Sequence, residues 1–202
     1  MAEDMGNVFQ DNPPGLTRLL KTSAVGIAGA GGVGSNVAAL LVRAGVGRLV
    51  IADFDGVEKS NLNSQYYFSD QIGYPKVEAL KHNLNLISPA AQIELHDRMI
   101  DAANACTLFE ECDVLVEAVR DEDTKKLILD AWSGCFPDRK LFSCLGPSGF
   151  GSTESIWIER KENLVIVGDG EPGYSQGTLS SRIAIAAAMM ANEIIAYLRT
   201  IS

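Results

Sequence analysis

Glycines crowd the segment Gly29-Ala30-Gly31-Gly32-Val33-Gly34, which follows the apolar run Val25-Gly26-Ile27-Ala28 and precedes a stretch of helical periodicity from Ser35 to Ala44. Residues without a Cβ let backbone N–H groups come close to an anion, and a helix N-terminus adds positive partial charge at the same place. The chemistry this suits is phosphate binding. Gly29 allows a sharp turn out of a strand, Gly31 leaves room for a phosphate against the backbone, and Gly34 lets the helix pack close to the strand. Asp53 closes a second apolar run, Leu49-Val50-Ile51-Ala52, about twenty residues past the last of these glycines, where an acidic side chain accepts hydrogen bonds from ribose hydroxyls. A glycine-rich structural turn accounts for the first feature alone; strand, turn, helix, strand and acid in this order favour a nucleotide.

A second candidate is Lys76. Pro75 suits the first turn of a helix with apolar positions Val77, Leu80, Leu84 and Ile87, so Lys76 falls at a helix start, where a cation opposes the helix dipole. An anionic ligand sharing that place accounts for the lysine, as does an exposed lysine tolerated at small cost. The connection FDGVEKSNLNSQYYF between Asp53 and this helix is polar and long, and is expected to face the site at the strand ends. The histidines, His82 and His96, have no nucleophile beside them in sequence and read as structural or surface residues.

The elements that position these residues alternate. Gln92 to His96 reads as a third strand, Ala102 to Glu111 as a short helix, and Val114 to Val116 as a fully buried fourth strand leading to Glu117 through Asp121. A helix through Leu127, Ile128, Ala131 and Trp132 leads to a fifth strand, Lys140 to Leu145. Strands alternating with helices predict an α/β fold, a Rossmann-like, doubly wound and mostly parallel sheet. Ile156–Ile158 and Leu164–Val167, separated by a polar turn, predict an added antiparallel hairpin. After the glycine-containing loop 168–177, a long alanine-rich helix is expected from about Leu179 to Thr200, closely packed against the sheet or a second subunit. Residues 1–15 are expected to form a flexible arm, Leu16 to Lys21 a short helix, and 16–202 a single nucleotide-binding domain. Arg18 is a candidate phosphate contact from a neighbouring subunit or a solvated arginine.

The chain has 202 residues and a net charge of −9, with no cluster of lysine or arginine, which argues against binding nucleic acid or anionic lipid. No apolar run is read as membrane-spanning and the N-terminus lacks signal-peptide character, so a cytoplasmic setting is expected. Cys106, Cys112, Cys135 and Cys144 form no C-x-x-C pair, do not suit a zinc site, and read as buried or partly buried free thiols.

GIAGAGGVGSN, IADFDGVEKSNLNSQ and IGYPKVEAL together resemble the ThiF/MoeB/HesA adenylyltransferases, bacterial relatives of ubiquitin-activating enzymes. GFGSTESIWI, VGDG and the alanine-rich helix are similar to the short ThiF-like branch associated with thiamine biosynthesis. The resemblance covers the chain from Leu19 onward and is most specific between Asp53 and Lys76. It implies ATP as nucleotide, Mg²⁺, no zinc, and adenylation of the C-terminal glycine carboxylate of a ThiS-like, ubiquitin-fold sulfur carrier protein by a homodimer. It gives Gly29, Gly31, Gly32 and Gly34 the phosphates and adenosine, and Asp53 the ribose. Asp55, Asn61, Ser64 and Gln65 fall in the triphosphate pocket, and Lys76 offsets charge during attack. Two positions depart from the family pattern. Ser64 stands where the family has a phosphate-binding arginine, and Arg120 stands where it has a magnesium-binding aspartate. Either a shifted loop brings Asp121, one residue on, or Asp123 beyond it, to the Mg²⁺, or Arg120 supplies the cation that Ser64 lacks. The same departures suit a catalytically weakened nucleotide-binding module; the glycine motif alone also suits an NAD-dependent oxidoreductase, for which no proton donor is evident.

Overall fold

The computed structural model describes residues 8–171 and 177–201. The first half of the expected arm, and Pro172 through Gln176 of the loop before the last helix, lie outside the described residues. Among the described residues five α-helices and seven strands follow in this order: α1 Leu16–Leu20, β1 Ala24–Ala28, α2 Gly32–Ala44, β2 Arg48–Asp53, α3 Lys76–Ile87, β3 Gln92–Asp97, β4 Val114–Glu117, α4 Glu122–Cys135, β5 Leu141–Leu145, β6 Trp157–Arg160, β7 Leu164–Gly168 and α5 Ser180–Leu198.

The strands form one sheet in the order β3-β2-β1-β4-β5-β7-β6. Every pairing is parallel except β6 on β7, and it is β7 that extends the sheet beside β5. The predicted doubly wound architecture with an added hairpin is the one found. Its central strands β1 and β4 are sheathed on both faces and buried along their whole length, and apolar but for Glu117 at the end of β4. One face packs on α2, α3 and α5, with Ile27, Ile51, Val116, Leu80 and Ile183 in its core. The other packs on α4 and the 100–112 segment through Ala28, Phe109, Leu115, Ile128 and Trp132. From β1 the chain winds outward through β2 and β3, then returns to β4 on the opposite side of β1. The carboxyl ends of β1 and β4 therefore flank a topological switch point, the crevice where ligands of such sheets bind.

Several expectations are corrected. The helix α2 begins at Gly32, three residues ahead of Ser35, because the glycines Gly32 and Gly34 enter its first turn. Pro75 is the N-cap of α3 and not a residue of its first turn. Ala102 to Glu111 is not a helix. The Asp101 carboxylate accepts the N–H groups of Ala103 and Asn104, holding a turn, and only Thr107–Phe109 forms a short 3₁₀ segment. Cys106 and Cys135 are not free thiols but a disulfide, closing Cys106 onto the end of α4; Cys112 and Cys144 are free and buried. The helix α5, 19 residues long, is by length and composition apolar enough to match a membrane span, contrary to the reading that no segment is. Its Ile183, Ala186, Ala187, Met190 and Ile194 are spent in the core against α2. The described end of the arm lies against α2: Asn12 donates to the carbonyl of Ala44, and Phe9 covers Gly45.

Candidate functional site

The glycine turn leaves β1 at Gly29, whose φ of 96° is left-handed and whose Cα faces the Ala118 carbonyl so closely that a Cβ would stand 2.8 Å from it. Gly31 caps α2, and a Cβ there would enter open space on the cavity side. Gly34 lies below, inside α2 and away from the cavity; a Cβ on it would collide with the Gly29 carbonyl oxygen. The sharp turn at Gly29 and the close helix–strand packing at Gly34 are as their spacing predicted, and Gly34 is removed from the cavity side.

Asp53 ends β2 and braces this turn. Its Oδ2 accepts the N–H of Ala30 at 2.6 Å and its Oδ1 accepts the N–H of Asp55 at 2.8 Å. The Tyr67 hydroxyl donates to the carbonyl of the same Ala30 at 2.7 Å, so both ends of that residue are held. Burial raises the pKa of Asp53 above the ordinary carboxylate value, against the opposing pull of Lys76 and of the two N–H donors. Each carboxylate oxygen carries two lone pairs, so accepting one N–H does not exhaust it as a ribose acceptor.

These groups open on a cavity of about 970 Å³ at the carboxyl ends of the strands. Gly29, Gly31, Gly32, Asp53, Asp55, Asn61, Ser64, Gln65, Lys76, Arg120 and Asp121 all line it. Of the candidates, Gly34 and Arg18 are absent from the lining. Lys76 is buried, with 7% of its side chain exposed, and Nζ donates to Asp55 Oδ2 at 2.7 Å. The exposed-lysine account of its position is thereby set aside. Asn61 accepts the N–H of Glu58 through Oδ1, and the Ser64 carbonyl accepts from Asn36 Nδ2, which fixes the polar 59–65 wall to α2. Gln65 lines the cavity, and its Oε1 is buried without a hydrogen-bond partner. Asp121 is the N-cap of α4; its Oδ2 accepts both the N–H and the hydroxyl of Thr124, which hold its carboxyl below the usual range.

The sequence reading missed part of the wall. Arg98, Met99 and Ile100 follow β3 and line the cavity, as do Gly177 and Thr178 before α5. A strand's carboxyl end was the available signal for the first three. The loops around β5, β7 and α5 meet at a buried pair, Arg182 Nη2 to Asp169 Oδ2 at 2.9 Å, which carries no sequence signature. The Cys144 thiol is buried at the end of β5, and burial pushes its pKa up to about 12, so it is inert as a nucleophile at neutral pH.

A doubly wound sheet with a phosphate-type glycine turn and a ribose-type acid at its switch point defines a nucleotide-binding α/β protein. Residues 7–201 match the model of the ThiF family, and the chain belongs to that family. It is 36% identical over 148 residues to a ubiquitin-like modifier-activating enzyme 5 of Caenorhabditis briggsae, covering 72% of this chain and 33% of that one. It is 35% identical over 123 residues to a sulfur carrier protein adenylyltransferase of Thermus thermophilus, covering 60% and 45%. The chain thus spans a third to just under half the length of these relatives. Among solved structures the E. coli tRNA N6-threonylcarbamoyladenosine dehydratase TcdA, in complex with ATP, superposes with a TM-score of 0.84 at 17% identity, over 92% of this chain and 89% of that one. That likeness concerns the fold.

Proposed function

We propose that this chain binds ATP in the cavity and adenylates the C-terminal glycine carboxylate of a ubiquitin-fold sulfur carrier protein of the ThiS type, in the formation of the thiamine thiazole. The observation that carries the reading is the convergence of glycine turn, Asp53, Lys76 and Arg120 on one cavity at the switch point. Family membership and a relative that activates a sulfur carrier support it. The α2 N-terminus and the glycine backbone would hold phosphate, and Asp53 the ribose hydroxyls. A carrier carboxylate oxygen forms the new bond to the α-phosphorus, and the bond from that phosphorus to the β-bridging oxygen breaks, its electron pair leaving with pyrophosphate. No base is needed, since the nucleophile is already ionised. Lys76 and Arg120 offset the charge that builds on the phosphates, so the residues work by position and electrostatics.

Mg²⁺ fits here as a shared ligand of protein and phosphates, for which one or two carboxylates suffice. Asp121, held as a cap, is the residue that would contact it. When bound, the ion supplies further charge neutralisation on the triphosphate. We propose a homodimer. The Cys106–Cys135 disulfide favours an oxidising setting over the cytoplasmic one expected from the sequence, since structural disulfides are rare in reducing compartments.

The test is pyrophosphate exchange with ATP, Mg²⁺ and candidate carriers. Exchange dependent on a carrier supports the reading. Ser64 and Arg120 favour a second reading, a nucleotide-binding module that recognises a carrier without turnover; ATP binding with no exchange would select it. Binding of a nicotinamide dinucleotide in place of ATP would overturn both.

A further inference from the structure

Behind the cavity wall, at the carboxyl end of β4, a carboxylate and an ammonium are enclosed together. Glu117 is fully buried and Lys125, on α4, is 8% exposed. Lys125 Nζ donates to Glu117 Oε2 at 2.7 Å and to the Cys144 carbonyl at 2.9 Å, and Ser143 Oγ donates to the same Oε2 at 2.6 Å. The other carboxylate oxygen, Oε1, accepts the backbone N–H of Val119 at 2.8 Å. Glu117, Lys125 and Ser143 are not among the residues lining the cavity, whereas Ala118 through Asp121 are.

Enclosing such a pair gives little stability over two apolar side chains of similar volume, because the desolvation of both charges offsets their attraction. What an apolar pair would not provide is the acceptor for Val119. The loop 118–121 leaves β4 with two anchors: the Ala118 N–H donates to the Ala28 carbonyl at 2.8 Å, and the Val119 N–H donates to Glu117. Between those anchors the Ala118 carbonyl lies against Gly29, the residue at which the glycine turn begins. The orientation of this one peptide sets both the depth of the turn and the point from which Arg120 enters the cavity.

We propose that Glu117, with Lys125 and Ser143 as its buried counter-groups, is a positioning residue of the nucleotide site. By accepting the Val119 N–H it holds the 118–121 loop against the glycine turn and directs Arg120 toward the phosphates. The inference rests on the reading of the cavity as an ATP site, and two double variants separate the acceptor from the charge. Glu117→Gln with Lys125→Met removes both charges and keeps an oxygen for Val119. Glu117→Leu with Lys125→Met removes the oxygen as well.

ATP titration should give affinity within about threefold of the unmodified protein for the first variant and about tenfold weaker for the second, the effect of losing one well-placed hydrogen bond. In pyrophosphate exchange the loss should fall on KM for ATP and leave KM for the carrier unchanged. Hydrogen exchange gives a readout without ligand: the Val119 amide of the unmodified protein should exchange as slowly as those of β4, and residues 118–121 should exchange faster only in the variant with leucine. Equal ATP affinity in the two variants, or fast exchange at Val119 in the unmodified protein, would overturn the proposal. Absence of ATP binding by the unmodified protein would overturn the site reading instead, and the Val119 amide would still decide the positioning.

Discussion

To the ribose contact proposed for it Asp53 adds a task that its place at a strand end does not reveal, the bracing of the Ala30 and Asp55 peptides. Asp53→Ala should therefore weaken ATP binding by more than a lost ribose contact alone, and lower thermal stability as well; unchanged ATP affinity would count against the pocket. Burial raises the pKa of this carboxyl from its ordinary 3.8. In the window above 3.8 the folded protein keeps a proton that the unfolded chain has released, so stability falls as pH rises through that window and the cost is complete above the raised folded pKa. Ribose binding has the opposite preference, because the ionised carboxylate is the better acceptor. ATP affinity should thus decline on acidification at a pH above the ordinary aspartate range, and Asp53→Asn should abolish that inflection, as read by titrations between about pH 4 and 7. At the phosphate end, Arg120 and Ser64 are coupled through the same charge. Arg120→Ala should cost about 1.5–3 kcal/mol in ATP binding or transition-state stabilisation, the range for charge-assisted bonds. Ser64→Arg with Arg120→Asp should match or exceed the original exchange rate, with either single change doing less. Unaltered affinity and exchange in Arg120→Ala would remove Arg120 from the site.

Elements differ in how far their residues announced them. The unit β1–turn–α2–β2–Asp53 was legible because its signals are local: strand and helix periods, and glycines of which Gly29 and Gly34 have no room for a Cβ. The segment 102–111 was misread because Ala105 and Phe109 share helical spacing and Asp101 caps the N–H groups of Ala103 and Asn104 as it would at a helix start, yet the chain goes on only as turns and the 3₁₀ segment Thr107–Phe109. Glu117 with Lys125, and Asp169 with Arg182, were invisible because each pair meets only after β4, β5, β7, α4 and α5 are assembled. Cys106 and Cys135, 29 residues apart, are likewise joined by tertiary structure alone. The disulfide closes the 100–112 segment onto α4, and a loop of that length implies about 3–4 kcal/mol of stabilisation by restriction of the unfolded chain. Thiol titration should find no rapidly reacting cysteine in the native protein, two in denaturant, and four in denaturant after reduction, since Cys112 and Cys144 are buried and burial pushes both pKa values up to about 12. Reduction alone should lower the urea midpoint. Four reactive thiols in denaturant without reductant would show that the bridge does not form.

At the scale of the whole molecule, the proposed homodimer requires a face, and two are candidates. The alanine-rich helix α5 was expected to provide one, but its larger side chains are turned into the core, leaving a stripe of Ala184, Ala188 and Ala196 outward. The alternative lies where α2 and α3 meet the described end of the arm: Val8, Phe68 and Leu86, respectively 54%, 53% and 70% exposed, surround a groove of about 410 Å³ with Arg43 on its wall. Burial energy scales with apolar area, so three large side chains outweigh a line of methyl groups, and apolar surface of this kind is what oligomer interfaces use. A two-fold dimer presents each interface residue twice, and a residue near the axis meets its own copy. Leu86→Glu would then place like charges opposite each other in a site that had been apolar, whereas Ala188→Glu on α5, outside the groove, would leave the assembly alone. Sedimentation across micromolar concentrations should give a dimer for the unmodified chain and for Ala188→Glu, and a monomer with an intact circular dichroism spectrum for Leu86→Glu. The reverse pattern would move the interface to α5, and a monomer mass for the unmodified chain at every concentration would contradict the dimer itself.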